Sequence, residues 1–463
     1  MTALRLPRPR RMRPLAIFGA AVVLVAVSQV AALVAPRQAP APIVNPQTVS
    51  GPVSAPEAPV IGAPTDLEAI DHSITAWTSN VRKNDRDYIS AANLAALYEA
   101  RARLSGDVSD YNRAVEAANT SLGIEPRQLD VEALHARLLL ATHDFTGALH
   151  EAEAIDRAAP NSAAVLAIMG DARLELGDVN GAGDLYDRIS VLKPGPAVTA
   201  RLARLAFIKG DPAAAVSASE AAYTAAAAGG QDGPALSWYA YLAGTMHLWA
   251  GSPELAATWF DNALEAWPGS YLARAGRARA AAALGDFDAA ITGYQAAIAV
   301  APQPDALAAL GDLLAMRGDQ TAADQQYATV LAIAQLQGAG GGLIFNRQLV
   351  LFGVNHDRDL ANALTLAEQE LTERRDVYGY DAEAWALLAN GRAADADAAM
   401  AKALAFGTRD ATLLYHAGEI ALALGDQSRA RDLLTEALAI RGALDPLSAS
   451  RAAASLATLE AIQ

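Results

Sequence analysis

From residue 86 to the end of the chain, apolar side chains recur at i, i+3, i+4 and i+7, the spacing of one face of an α-helix. The helical runs are short, and the punctuation between them is regular. Gly-Asp stands at 177–178, 210–211, 285–286, 318–319 and 425–426. A glycine there ends one helix in the left-handed conformation, and the aspartate caps the next. Ala follows the turn glycine by five positions at 182, 215, 290, 323 and 430. Four residues later come Tyr186, Tyr294 and Tyr327, and Phe260 follows Ala256 behind the turn Gly251-Ser252-Pro253. Gly170, Gly244, Gly311 and Gly418 lie seven residues before a turn glycine. A small residue there lets two helices approach, and the aromatic fills the space beyond. Pro closes units at 126, 160 and 194, then at 268 and 302, each step within those two groups being 34 residues. Stacked helix-turn-helix units follow from this pattern, because a repeat of that length cannot bury its own apolar face alone.

The stretches 163–194, 271–302, 304–334 and 411–441 carry the small, turn, Ala, aromatic and Pro positions best. The sequence resembles the tetratricopeptide repeat family. That resemblance implies an all-α fold, an α-α superhelix of about ten units, whose first helices line a concave groove that receives ligands. Several units depart from the pattern. One has an enlarged turn at 105–114, and the one with Gly210 lacks its aromatic and runs on to 234. The phase breaks at the Gly-rich stretch 338–342, a joint dividing a first array, 66–337, from a second, 343–463. The second begins with a unit that turns at Asn355–Asp359, then one around Trp385 whose first helix reads a turn short. Leu456, Leu459 and Ile462 share a face at the end, as a helix capping the last open unit would require.

The N-terminus differs from all of this. Residues 1–14 hold five Arg and no acid, and residues 15–35 are uncharged. At about 1.5 Å per residue, 21 residues make a helix long enough for a bilayer core of about 30 Å. The run is longer than the apolar part of most cleaved signals, so a signal-anchor helix is expected, with cleavage and secretion as the alternative. Arg before the span and only Arg37 just after it place the basic arm in the cytoplasm and the repeats outside, in the periplasm or at the cell surface. Residues 36–65 include eight Pro and read as a semi-rigid linker.

Composition narrows the chemistry. The formal charge is −15, and residues 1–65 contain six Arg but a single acid, Glu57, so the repeats are more acidic than the whole. Nucleic acid is thereby an unsuitable partner. The absence of Cys excludes disulfides, thiolate metal sites and dithiol redox chemistry. Seven His occur without an HExxH pattern, so no metal is expected. The Gly run at 338–342 lacks a following Lys-Ser/Thr, so neither a phosphate loop nor a nucleotide cofactor is expected. A non-catalytic scaffold or adaptor that binds a protein or peptide remains, with membrane attachment through its N-terminal helix. An enzyme or a metal- or nucleotide-binding protein is the alternative from another class. The anchored layout also resembles accessory factors in cytochrome c maturation, secretion or pilus biogenesis. In the resemblance's register, the groove residues are Arg137, Arg201, Arg204, Trp238, Tyr241, Trp249, Arg279 and Tyr415, with Asp171, Glu175, His416 and Glu419 beside them. Arg, Trp and Tyr are the types that dominate interface energetics.

Overall fold

In the computed structural model, residues 66–340 and 346–461 are described. The expectations for residues 1–14, 15–35 and 36–65 lie outside them. Among the described residues no helix is long and apolar enough to cross a membrane.

The described residues form 22 α-helices and no strand. Helix α1 (Leu67–Lys83) precedes ten antiparallel pairs. These are α2 (Tyr88–Ser105) with α3 (Ser109–Ile124), α4 (Leu129–Ala141) with α5 (Phe145–Ala158), and α6 (Ala163–Glu175) with α7 (Val179–Leu192). Next come α8 (Pro196–Ile208) with α9 (Pro212–Ala228), α10 (Gly233–Trp249) with α11 (Pro253–Ala266), and α12 (Tyr271–Ala283) with α13 (Phe287–Ile298). Then follow α14 (Pro304–Met316) with α15 (Gln320–Gly340), α16 (Asn346–Asn355) with α17 (Leu360–Glu373), α18 (Val377–Ala389) with α19 (Ala393–Ala403), and α20 (Ala411–Ala423) with α21 (Gln427–Ala439). Helix α22 (Pro446–Ala461) ends the described chain and buries Ala452 and Leu459 against the last pair.

Local chemistry sets each pair. In all ten, the turn has a left-handed φ: at Gly106, Gly177, Gly210, Gly251, Gly285, Gly318, Gly391 and Gly425, with His143, and Asp357 together with Asp359, standing where glycine is missing. Aspartate then caps the second helix in several units. Asp144, Asp178, Asp211, Asp286 and Asp426 each accept the backbone N–H three residues on. Tight packing explains the small positions. A Cβ on Gly170 would lie 2.5 Å from the Tyr186 ring, and one on Gly244 would lie 2.8 Å from Phe260.

Two stretches differ from the sequence reading. Helix α18 has 13 residues, not a turn fewer, because the Asp376 carboxylate accepts the Gly379 N–H and starts the helix through a Gly that reads like linker. Helix α15 continues to Gly340, so residues 338–340 of the Gly-rich joint are helical; residues 341–345 lie outside the described ones.

The array also returns over itself. A Cβ on Gly106 would meet the Ala301 side chain, and one on Gly177 would meet the Arg375 carbonyl. Gly210 lies against the Gly407 carbonyl, and Gly251 against Ile440 and Arg441. Thr408 Oγ1 donates to the Ile208 carbonyl across 200 residues, and Arg374 pairs with Glu175 across 199. Helix-pair turns of one superhelical turn thus touch inter-unit loops of the next, just under six units later. This seam joins the first array to the second directly.

Candidate functional site

The return of the superhelix leaves a partly open hollow of about 450 Å³. Its walls come chiefly from α10, α12, α14, α16 and α20, with residues 444–448 at the start of α22. Those five are first helices of their units, as the register requires. The seam closes one side, where Arg279 Nη2 donates to the Ala443 carbonyl at 2.9 Å.

Aromatic and polar groups share this lumen. Tyr241, Trp249, Tyr271 and Phe260 supply rings; Asp305, Asp312 and Asp445 supply carboxylates. Arg279 is the single Arg or Lys among the described lining residues. Asp312 accepts from Tyr327 at 2.8 Å, and His356 Nε2 lies 2.7 Å from the same carboxylate. Asp445 caps α22 by accepting the Ser448 N–H. Asp305 is exposed on the lumen and accepts the Ala306 N–H. The protein mass around it raises its carboxyl pKa despite backbone hydrogen bonds and the field of Arg279.

Of the residues expected to face the groove, Tyr241, Trp249 and Arg279 meet in this lumen. Tyr241 also packs on Phe260, and Trp249 on Phe207. Tyr415 lies at a neighbouring hollow with Trp385 and Arg451, where burial pushes its phenol up to about 12. Trp238 packs edge-on against Tyr239 with centroids 4.9 Å apart. The remaining arginines are engaged in ion pairs with carboxylates of the same chain. Arg137 makes a buried bidentate pair with Glu99, and Arg201 does the same with Asp171. Arg204 pairs with Glu175 at 2.6 Å.

Glu175 is the centre of a second polar cluster at the seam. Burial alone would raise its carboxyl, but the guanidiniums of Arg204, Arg374 and Arg347 hold it well below the usual carboxylate range. Arg347 in turn reaches Asp376 at 2.6 Å and Glu370 at 3.1 Å. Positive and negative groups balance there, so the cluster serves to fasten two superhelical turns. Glu419 and His416 stay internal as well: His416 is buried, stacked on Trp385 and 2.8 Å from Asp381, while burial raises the Glu419 carboxyl. Among the described residues no group of His, Cys, Asp and Glu has the arrangement to hold a metal ion.

Asp305, Asp445 and Tyr294 are lumen residues that the sequence reading did not single out. Tyr294 was legible only as a repeat aromatic, and the two aspartates only as helix starts. A lumen of this kind inside an all-α helical repeat solenoid defines the class, a fold typical of protein-interaction scaffolds. The tetratricopeptide repeat family model matches residues 134–197 and 275–337, four of the ten units, and supports that family for the repeats. No curated protein matches the chain. Among solved structures, it is similar to a tetratricopeptide repeat protein from Parabacteroides merdae, at 18% identity over 57% of this chain and 97% of that one, TM-score 0.33. Human IFIT1, a dimer with PPP-AAAA, shares 15% identity over 81% and 86%, TM-score 0.43. Yeast Tom70 shares 12% over 85% and 92%, TM-score 0.37.

Proposed function

We propose that this chain is a non-catalytic scaffold, tethered to a membrane by residues 15–35, that holds a segment of a partner protein in its lumen on the extracytoplasmic side. The carrying observation is the lumen itself, where Tyr241, Trp249 and Arg279 converge with carboxylates on a wall of first helices. Aromatic rings and a guanidinium in a partly open, partly apolar hollow are what peptide anchors bind. Because the seam closes the side wall, a partner segment enters along the superhelix axis as an extended strand or chain end. Tethering rests on the basic arm and the uncharged 21-residue run that follows it.

A photo-crosslinking residue at Trp249 in the full-length, membrane-attached protein tests both parts. A specific partner peptide crosslinked from Trp249, and not from exposed Val191, is the expected result. Equal or absent crosslinking from the two positions would overturn the scaffold reading. A reporter fused after residue 65 that is active only in the cytoplasm would overturn the topology.

A further inference from the structure

Three units carry a tyrosine behind the turn, and two of them share a bond that the third lacks. In the α6/α7 unit, Tyr186 donates its hydroxyl to Asp171, the residue after the small Gly170, at 2.8 Å. In the α14/α15 unit, Tyr327 donates to Asp312, the residue after Gly311, also at 2.8 Å. In the α12/α13 unit the equivalent tyrosine is Tyr294, and the residue after the small Ala278 is Arg279. A guanidinium has no acceptor to offer. Arg279 turns instead to the Ala443 carbonyl across the seam. Tyr294 is 6% exposed and lines the lumen, and among the described residues its hydroxyl has no hydrogen-bond partner. The oxygen is not sealed in the core but opens onto the lumen, where it offers a donor and an acceptor to an incoming group.

The surroundings say what kind of group would satisfy it. The Tyr294 hydroxyl lies in the field of Arg279, Asp305, Asp445 and Asp312, one positive group against three negative. His356 accompanies Asp312 at 2.7 Å, and Asp445 caps a helix. Asp305 has no ion-pair partner among the described residues. The aromatic faces of Tyr241, Trp249 and Tyr271 complete the wall, and rings of this kind attract cations. We propose that this part of the lumen receives a primary ammonium on a methylene stem, the side chain of a lysine in the partner segment, which donates to Asp305 and to the Tyr294 oxygen. The acidic balance of the whole chain, −15, draws a basic segment toward it. This deepens the scaffold reading and rests on it.

Calorimetric titration of the full-length chain tests the proposal with three probes: a capped Ala-Ala-Lys-Ala-Ala peptide, its Glu counterpart, and spermidine. The lysine peptide should bind, and the glutamate peptide should not. Asp305→Asn should weaken lysine-peptide binding tenfold or more, and Tyr294→Phe, which keeps the ring and its packing, about threefold. Thermal melting of both variants shows whether each is folded. Lysine-peptide affinity unchanged in Tyr294→Phe and Asp305→Asn would overturn the proposal, as would preference for the glutamate peptide. Spermidine binding more tightly than the lysine peptide would assign the site to a free polyamine and overturn the lysine assignment. A partner that still crosslinks at Trp249 with equal yield in Asp305→Asn would leave the scaffold standing and remove this site. Lysine-peptide binding without any crosslinked partner would do the reverse.

Discussion

Gly177, Gly210 and Gly251 have φ of 89°, 78° and 82°; Gly285, Gly318 and Gly425 have 81°, 86° and 80°. All six turn between the helices of a pair in the same backbone conformation, yet their surroundings differ. The first three press against backbone of the following superhelical turn, whereas a Cβ on any of the other three would meet open space. Conformation alone explains glycine at 285, 318 and 425. At the seam a second requirement is added, the close approach of another main chain. The same residue in the same motif therefore carries two separable demands, and substitution can measure each.

The largest effect should come from charge at the seam. Arg374→Ala leaves buried Glu175 without one of its partners and should destabilise by about 3 kcal/mol, read by urea unfolding. Arg441→Ala, at the exposed pair with Glu254, should leave the midpoint unchanged. Similar losses at both positions would mean that the seam does not bury the Glu175 cluster in solution. Next comes the glycine comparison itself. Gly318→Ala should cost about 1 kcal/mol for the left-handed backbone. Gly210→Ala should cost about 2–3 kcal/mol, since overpacking is added. Equal costs would break the distinction between seam and free turns.

A smaller, pH-dependent effect concerns the lumen. The folded-state pKa of Asp305 is raised above the ordinary 3.8, so its ionised form is less favourable folded than unfolded. Its protonated form therefore adds stability below pH 3.8, and that contribution is lost as pH rises through the folded value. Asp305→Asn should accordingly melt higher than the parent at pH 7, with the gain vanishing near pH 3.8. A gain of the same size at both pH values would show that the carboxyl is not raised in the folded chain. The smallest effect is expected at Asp357, whose φ is 51°. Asp357→Gly should stabilise by about 0.5 kcal/mol by relieving a left-handed position that glycine fills elsewhere.

The repeat itself was legible because its determinants are local. Gly-Asp turns, the small residue seven before, and the aromatic behind it all act within some 20 residues of chain, and Gly170 against Tyr186 is packed as the spacing requires. His143 and Asp357 occupy turns that lack the Gly-Asp signal, yet the turn at Asn355–Asp359 was still legible from its place between two helical runs. The lumen was half legible. First-helix register placed Tyr241, Trp249 and Arg279 on its wall, but the same register placed Arg201 and Arg204 in the groove, where they instead pair with Asp171 and Glu175. The seam was not legible at all. It depends on small rotations between neighbouring units that accumulate over nearly six of them, and Gly210 looks the same in sequence as Gly318. Arg374 meets Glu175 from 199 positions away, with no local signal to announce it.

The return of the superhelix onto itself also constrains how such a gene can change. An open solenoid tolerates gain or loss of a module, because each touches only its neighbours. Here, duplicating one unit between Gly177 and Arg375 would slide every later loop along by one place. Glu175 would face a loop without Arg374, Gly210 would meet a different main chain, and the hollow beside Arg279 would lose its 444–448 wall. Copy number in this array is thus fixed by geometry, and drift is confined to the identity of the residues within each module.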